Sequence, residues 1–294
     1  MRAIASCAVL LLLVSGPAAA QRQVQDGRPL EPNGFVRIFH LTGSVRVIGW
    51  DRDSVAVAGK LGAAERFAFG GGRTGVKIGI EPGLEAPEPA PASYLEVRVP
   101  ARSHVWIKTS TGDITVTDFS GTLDAYTVTG SIRIAGAPRE VTAESMGGDV
   151  EVDGDLRWLR AKTAGGDIRL NGSGDDASVS TVSGTIVVAS RGFQRGRFES
   201  VDGDIRYDGA IPRGAALEFL NHSAQVELVL PARVSAEFSI HTLHGSVENE
   251  FGSSRLVTAR DLQGKQLTFT VGTFDGTRVE VRNFKGKTIL RKKP

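Results

Sequence analysis

Apolar and polar residues alternate through the middle of this chain in short runs that return at a fixed distance. Each run is marked by a glycine followed two places later by a β-branched residue: Gly112 and Ile114, Gly130 and Ile132, Gly148 and Val150, Gly166 and Ile168, Gly184 and Ile186, Gly203 and Ile205. The glycines advance by 18, 18, 18, 18 and 19 residues. Seven places before the glycine stand Val105, Leu123, Val141, Leu159, Ala177 and Gly196; five before stand Ile107, Ala125, Ala143, Ala161, Val179 and Phe198. Four after stand Val116, Ile134, Val152, Leu170, Val188 and Tyr207. A period of two on both sides of the glycine predicts two short strands per repeat, each with one buried face and one wet face.

Eighteen residues give about 59 Å of extended chain at roughly 3.3 Å per residue, one coil of a solenoid and too little for a βαβ unit. The expected fold is therefore all-β, a single-chain parallel β-solenoid (β-helix) with about 18–21 residues per coil and irregular β caps. Looser copies of the register surround Gly43, Ala224, Gly245 and Gly286. Three places before the glycine, Thr109, Thr127, Ser145, Thr163, Thr181 and Ser200 form a hydroxyl ladder expected to bond turn backbone or neighbouring hydroxyls. Two places before it, Val128, Met146, Ala164, Val182 and Val201 form a mostly apolar strip. An outward strip would be an adhesive surface, an inward one plain core; the inward placement is favoured.

The start of the chain sets the compartment. Residues 1–20 read as a secretory signal, with Arg2, the apolar run Ala8 to Val14 and Ala18-Ala19-Ala20 before Gln21. Residues 21–33 look like a flexible leader, and 34–294 like one β-solenoid domain. Within it, 34–100 hold irregular coils with strand-like runs at 35–39, 44–48, 54–57 and 75–80, and a Pro-rich loop at 81–92. Residues 101–252 hold the regular coils, and 253–294 the last coils and a basic tail expected to be solvated. Cys7 is the only cysteine, so the exported chain relies on β-stacking rather than disulfides.

Charge and composition narrow the function. Lys and Arg number 35 against 33 Asp and Glu, a balance that gives no global reason to expect nucleic acid. Asp113, Asp149, Asp167 and Asp204 invite a calcium reading, but calcium rolls need two Gly-rich turns per coil and this chain has one, so turn chemistry is expected. A second acidic group, Asp149, Glu151, Asp153, Asp155, Asp167, Asp175 and Asp176, would suit glycoside hydrolysis or lyase chemistry. Alternation of Arg133, Glu151 and Arg169, and Glu144 beside Lys162, points instead to cross-strand ion pairs. His241 and His244 fall on opposite faces of a strand, poor for sharing a metal. No cofactor is expected.

Gly43-Ser44-Val45-Arg46-Val47-Ile48-Gly49-Trp50-Asp51, Ser54-Val55-Ala56-Val57, the Thr/Ser-x-x-Gly-Asp-Ile repeats, and Val279-Glu280-Val281-Arg282-Asn283-Phe284-Lys285-Gly286-Lys287 together resemble the bacterial putative-adhesin family of exported β-solenoid domains of unknown function, over residues 34 to 290. The resemblance implies an exported β-helical protein and carries over no catalytic residue. The expected role is non-enzymatic: an adhesin or envelope surface-binding module whose side-chain ladders meet a polysaccharide or an envelope surface protein, with no nucleic acid and no transmembrane segment. The alternatives are a β-helical polysaccharide lyase or hydrolase, and an accessory protein of an envelope complex.

Overall fold

The computed structural model describes residues 22–62, 65–81, 93–259 and 263–293. The signal segment 1–20 and most of the Pro-rich loop lie outside the described residues. In chain order the strands are Arg22–Pro29 (β1), Phe35–His40 (β2), Ser44–Trp50 (β3), Ser54–Leu61 (β4), Arg66–Gly72 (β5), Gly75–Glu81 (β6) and Tyr94–Pro100 (β7). His104–Thr109 (β8), Ile114–Phe119 (β9), Thr122–Thr127 (β10), Ile132–Gly136 (β11), Glu140–Ser145 (β12), Val150–Asp153 (β13) and Leu156–Lys162 (β14) follow. Ile168–Thr181 (β15) and Ile186–Ser200 (β16) are long, and after them come Ile205–Gly209 (β17), Ala216–Asn221 (β18), Val226–Pro231 (β19) and Ala236–Thr242 (β20). The last are Ser246–Asn249 (β21), Val257–Thr258 (β22), Lys265–Val271 (β23), Arg278–Asn283 (β24) and Lys287–Lys293 (β25). The fold is all-β, with no helix among the described residues.

Two ladders carry the repeats, one formed by the strands before each glycine and one by the strands after it. In the first, Leu123 pairs with Val105 and Val141, and Val141 with Leu159; in the second, Ile132 pairs with Ile114 and Val150, and Val150 with Ile168. Equivalent residues of adjacent repeats are thus direct neighbours. The long strands β15 and β16 belong to both ladders, turning where the register shifts between Gly172 and Ser173. Antiparallel pairing is confined to the ends, at β1/β4, β4/β7, β5/β6, β20/β23 and β22/β23.

Between the ladders lies one continuous core, including Leu123, Ile132, Leu159, Ile168 and Ile186 at 0% exposure. Each such side chain contributes about 1.5–3 kcal/mol. Where the repeat departs to Ala177 and Gly196, larger side chains take the space. A Cβ on Gly196 would lie 2.7 Å from the Phe198 ring, and Phe198 stacks on Phe219 at 5.1 Å with Tyr207 at 5.9 Å.

The order of the repeats is not the order of the chain at either end. β2 pairs with β8 on one side and β6 on the other, and β3 sits between β7 and β9, so the chain first lays an inner repeat and then adds one outside it. At the far end β24 lies between β18 and β20, and β25 between β19 and β21. The C-terminal strands therefore fill a slot between two repeats laid earlier. The tail is thus a paired strand rather than a loose end, although its cations stay exposed to solvent: Arg291 pairs with Glu227 at 2.6 Å and Lys293 with Asp208 at 2.7 Å.

Two further corrections concern the N-terminal region. Residues 22–29, expected as a flexible leader, form β1 against β4, and Arg28 stacks 4.9 Å over Phe69. The strand is mostly exposed because its work is to occupy the backbone edge of β4. Strand β5, which ends on Gly70-Gly71-Gly72, lies outside the expected strand-like runs.

Candidate functional site

The corner between the ladders is built around the glycine. Its φ is ordinary in every regular repeat, and only Gly43 among the corner glycines has a positive value, 98°. Space is the reason for it: a Cβ on Gly130, Gly148, Gly166, Gly184 or Gly203 would lie 1.7–2.2 Å from the carbonyl oxygen of the corner glycine in the preceding repeat. Backbones approach there more closely than any side chain permits.

The hydroxyl three places before the glycine closes this corner in both directions. Thr163 Oγ1 donates to Gly148 O at 3.0 Å and accepts the Gly166 N–H at 3.1 Å. Ser145 does the same with Gly130 O at 3.0 Å and Gly148 N–H at 2.9 Å, and Thr127, Thr181 and Ser200 repeat it. Thr109 donates to Gly112 O at 2.8 Å within its own corner. Asn221 divides the task between two atoms: its Nδ2 donates to Gly203 O and its Oδ1 accepts the Ala224 N–H, both at 2.7 Å. Asn283 bonds Ala224 O and the Gly286 N–H in the same manner. A group able both to donate and to accept serves here, and the register around Ala224 and Gly286 places Asn221 and Asn283 at this position although a ladder read as hydroxyls leaves them out.

His40 holds the equivalent position beside Thr109. It is 0% exposed, its Nε2 lies 3.2 Å from Ser93 Oγ, and its Nδ1 has no partner among the described residues. Burial pushes its pKa below the ordinary 6.5, outweighing the opposing charge of Glu65.

The apolar strip faces solvent, which corrects the inward placement. Met146 is 64% exposed, Val182 49%, Val128 41% and Val201 40%, and Ala164 is exposed as well. The preceding hydroxyl must turn inward to reach the glycine carbonyl, so the next residue turns out. Its carbonyl also anchors the next repeat: Val128 O accepts the N–H groups of Met146 and Gly147, and Met146 O those of Ala164 and Gly165. In stack order the ridge runs from Leu41 and Ser110 through Val128, Met146, Ala164, Val182 and Val201 to His222, Phe284 and Leu243. His222 stacks on Phe284 at 4.7 Å and 10°, and a groove of about 490 Å³ opens beside them.

The carboxylates are engaged one by one. Asp113, Asp149, Asp167 and Asp204 each accept the N–H of the equivalent residue in the next repeat, at 2.8–2.9 Å. Asp153 meets Asn171, Asp175 meets Arg157, and Asp176 meets Arg195. Asp155 is held below the usual carboxylate range by the Ser173 hydroxyl first and by Arg191 as well. Glu151 pairs with Arg133 at 3.6 Å, whereas Arg169 turns to Asp149 and Asp167, and Glu144 takes Arg160 rather than Lys162. Among the described residues no three His, Cys, Asp or Glu side chains gather as a metal site.

These features define an all-β repeat protein whose period is set by a glycine corner and whose outward corner position is largely apolar. Residues 93–269 match the Toastrack DUF4097 family, and the chain belongs to it. No curated protein matches the chain. Similar solved structures include a putative adhesin from Bacteroides fragilis NCTC 9343, with 9% identity, TM-score 0.42, and 94% of this chain and 99% of that chain covered. Another is a putative lipid binding protein from Parabacteroides distasonis ATCC 8503, at 12% identity and TM-score 0.37, covering 92% of this chain and 97% of that one. Those names describe those proteins. Among the described residues no helix is long and apolar enough to cross a membrane.

Proposed function

We propose that the repeats are coils of a parallel β-solenoid and that this rod is an exported, non-enzymatic surface-binding module. Its binding element is the corner strip, and its target a polysaccharide or protein surface of the cell envelope. The observation that carries this reading is the exposure of Val128, Met146, Val182 and Val201 in successive register along one edge. Contiguous exposed apolar surface marks interaction sites, and equal contacts repeated along a rod act together, since each contact after the first forms at high effective concentration. The engaged state of the acidic side chains favours this reading over a polysaccharide-processing enzyme.

The test is retention of the purified protein on isolated cell envelopes. Replacing Met146 and Val182 by lysine, both at exposed positions, should lower retention at least tenfold and leave thermal unfolding unchanged. Replacing Val128 and Val201 as well should lower it further. Wild-type retention by the fourfold variant would sink the proposal, as would absence of the tagged protein from every exported fraction.

A further inference from the structure

The outer face of the first ladder carries, at its N-terminal end, a side-chain lattice that chain order conceals. Because β2 docks between β6 and β8, three rows form across the strands. One reads Gly70, Lys77, Arg37, Trp106, Asp124; the flanking rows read Ala68, Gly79, Phe39, Lys108, Tyr126 and Gly72, Gly75, Phe35, His104, Thr122. Phe39 and Trp106 stack at 6.3 Å and 22°, and Tyr126 follows 6.1 Å from Trp106. The Arg37 guanidinium lies 5.6 Å from the Phe35 ring and 5.3 Å from that of Trp106.

Two features set this face apart from the salt-bridged surface of the middle repeats. Arg37, Lys77 and Lys108 have no acidic partner among the described residues, while the nearby acids are taken: Asp124 by His104 at 2.7 Å and Glu144 by Arg160 at 3.2 Å. Beside the rings the sheet is bare. Gly70 and Gly72 have ordinary φ values, and a Cβ on either would meet nothing within 4 Å. Neither conformation nor packing calls for glycine at these two positions, and the bare backbone leaves room there for close approach of a ligand. The shelf and the step up to Phe35 and Arg37 bound an open groove of about 280 Å³.

We propose that this face binds an anionic polysaccharide, with sugar rings lying on Trp106, Phe39 and Tyr126 and carboxylates or sulfates meeting Arg37, Lys77 and Lys108. Flat aromatic faces beside donors suit a ligand with an apolar side and polar substituents. Three cations spread over neighbouring repeats match one charge per sugar. They are too few to neutralise the many phosphates on which nucleic-acid affinity depends. The face adjoins the first repeats of the corner strip, since Phe39, Lys108 and Tyr126 stand two residues before Leu41, Ser110 and Val128, but Gly70, Lys77, Arg37 and Trp106 belong to this face alone, and variants there test this proposal separately from the other.

The test is affinity electrophoresis of the purified protein through gels containing alginate, a polyuronate, with dextran and single-stranded DNA as comparisons. Wild type should be retarded by alginate, less so as salt rises, and not by dextran. Gly70→Glu sets a carboxylate in open space beside Lys77 and should abolish retardation with thermal unfolding unchanged. Lys77→Gln should weaken binding several-fold, and Trp106→Ala about tenfold. Lys265→Gln, which removes an exposed cation on β23 away from this face, should leave alginate retardation as in wild type. The proposal is overturned if wild type is not retarded by alginate, if DNA retards it more strongly, or if Gly70→Glu and Lys77→Gln both bind as wild type does.

Discussion

Gly147 and Gly148 are chain neighbours with ordinary φ values, yet the geometry assigns them opposite sensitivities. A Cβ on Gly147 would come no nearer than 3.7 Å to Val128 O, an ordinary contact, whereas one on Gly148 would lie 2.0 Å from Gly130 O. Relieving that clash to about 3.3 Å moves the two corners apart by about 1.3 Å. The bonds that join them, Gly147 N–H to Val128 O and Ile132 N–H to Asp149 O, are each 2.8 Å long. Stretched by that amount they pass beyond hydrogen-bonding distance. Two or three such losses at about 1 kcal/mol each, with the opened packing beneath, place Gly148→Ala above about 4 kcal/mol. Gly147→Ala should be neutral or stabilise by up to about 1 kcal/mol, because it narrows the unfolded ensemble. Urea unfolding of both variants, with amide exchange at Ile132 as a local probe, checks the difference. Equal stability of the two variants would refute the close-approach account of the corner glycine, as would a Gly148→Ala protein of wild-type stability.

Two other predictions concern the corner interior. Thr163→Val keeps the shape but strands Gly148 O and the Gly166 N–H; at about 1–3 kcal/mol for each buried unpaired group it should cost about 2–6 kcal/mol. Thr163→Ser should cost under about 1 kcal/mol, with both read from denaturant midpoints at constant slope. His40 has a folded pKa below 6.5, so on acidification the unfolded chain takes up its proton first. Stability should be full above 6.5 and fall as pH drops below it toward the folded value. His40→Asn, which keeps a donor and an acceptor at the corner, should flatten that part of the melting-temperature profile, and an unchanged slope would argue against His40 as its source.

The period, the two-strand repeat and the core are legible in the sequence because Ile114, Ile132, Val150, Ile168, Ile186 and Ile205 are β-branched in every regular repeat, and Val105, Leu123, Val141 and Leu159 recur until the position shrinks to Ala177 and Gly196. Three things are not legible, each for a physical reason. Side-chain direction at Val128 and Met146 is lost because the corner interrupts the strand period, and only the hydrogen bonds of the neighbouring hydroxyl restore it. Strand β1 escapes notice because its sequence, Arg-Gln-Val-Gln-Asp-Gly-Arg-Pro, has little to bury, and backbone pairing on an edge needs no apolar pattern. The order of the end repeats escapes because every repeat presents the same edges to its neighbours. Adjacency in the chain is the usual rule, but nothing in the residues around Gly43 or Gly286 says which edge each will meet. The aromatic lattice of Phe35, Phe39, Trp106 and Tyr126 was hidden with it, since it exists only once β2 lies against β8.

The corner also separates what the fold requires from what it leaves open. An inward donor and acceptor is required three places before the glycine, and Thr, Ser and Asn all supply one. The residue after it is then turned outward whatever its side chain, because only its backbone carbonyl is used. Ser110 meets that backbone requirement as fully as Met146 does, so stacking alone gives no reason for an apolar residue there. Leu41, Val128, Met146, Val182, Val201 and Phe284 are nonetheless apolar and among the exposed large hydrophobic residues of the chain. A choice that the fold does not demand, made repeatedly along one edge, is what the binding role proposed for that edge requires.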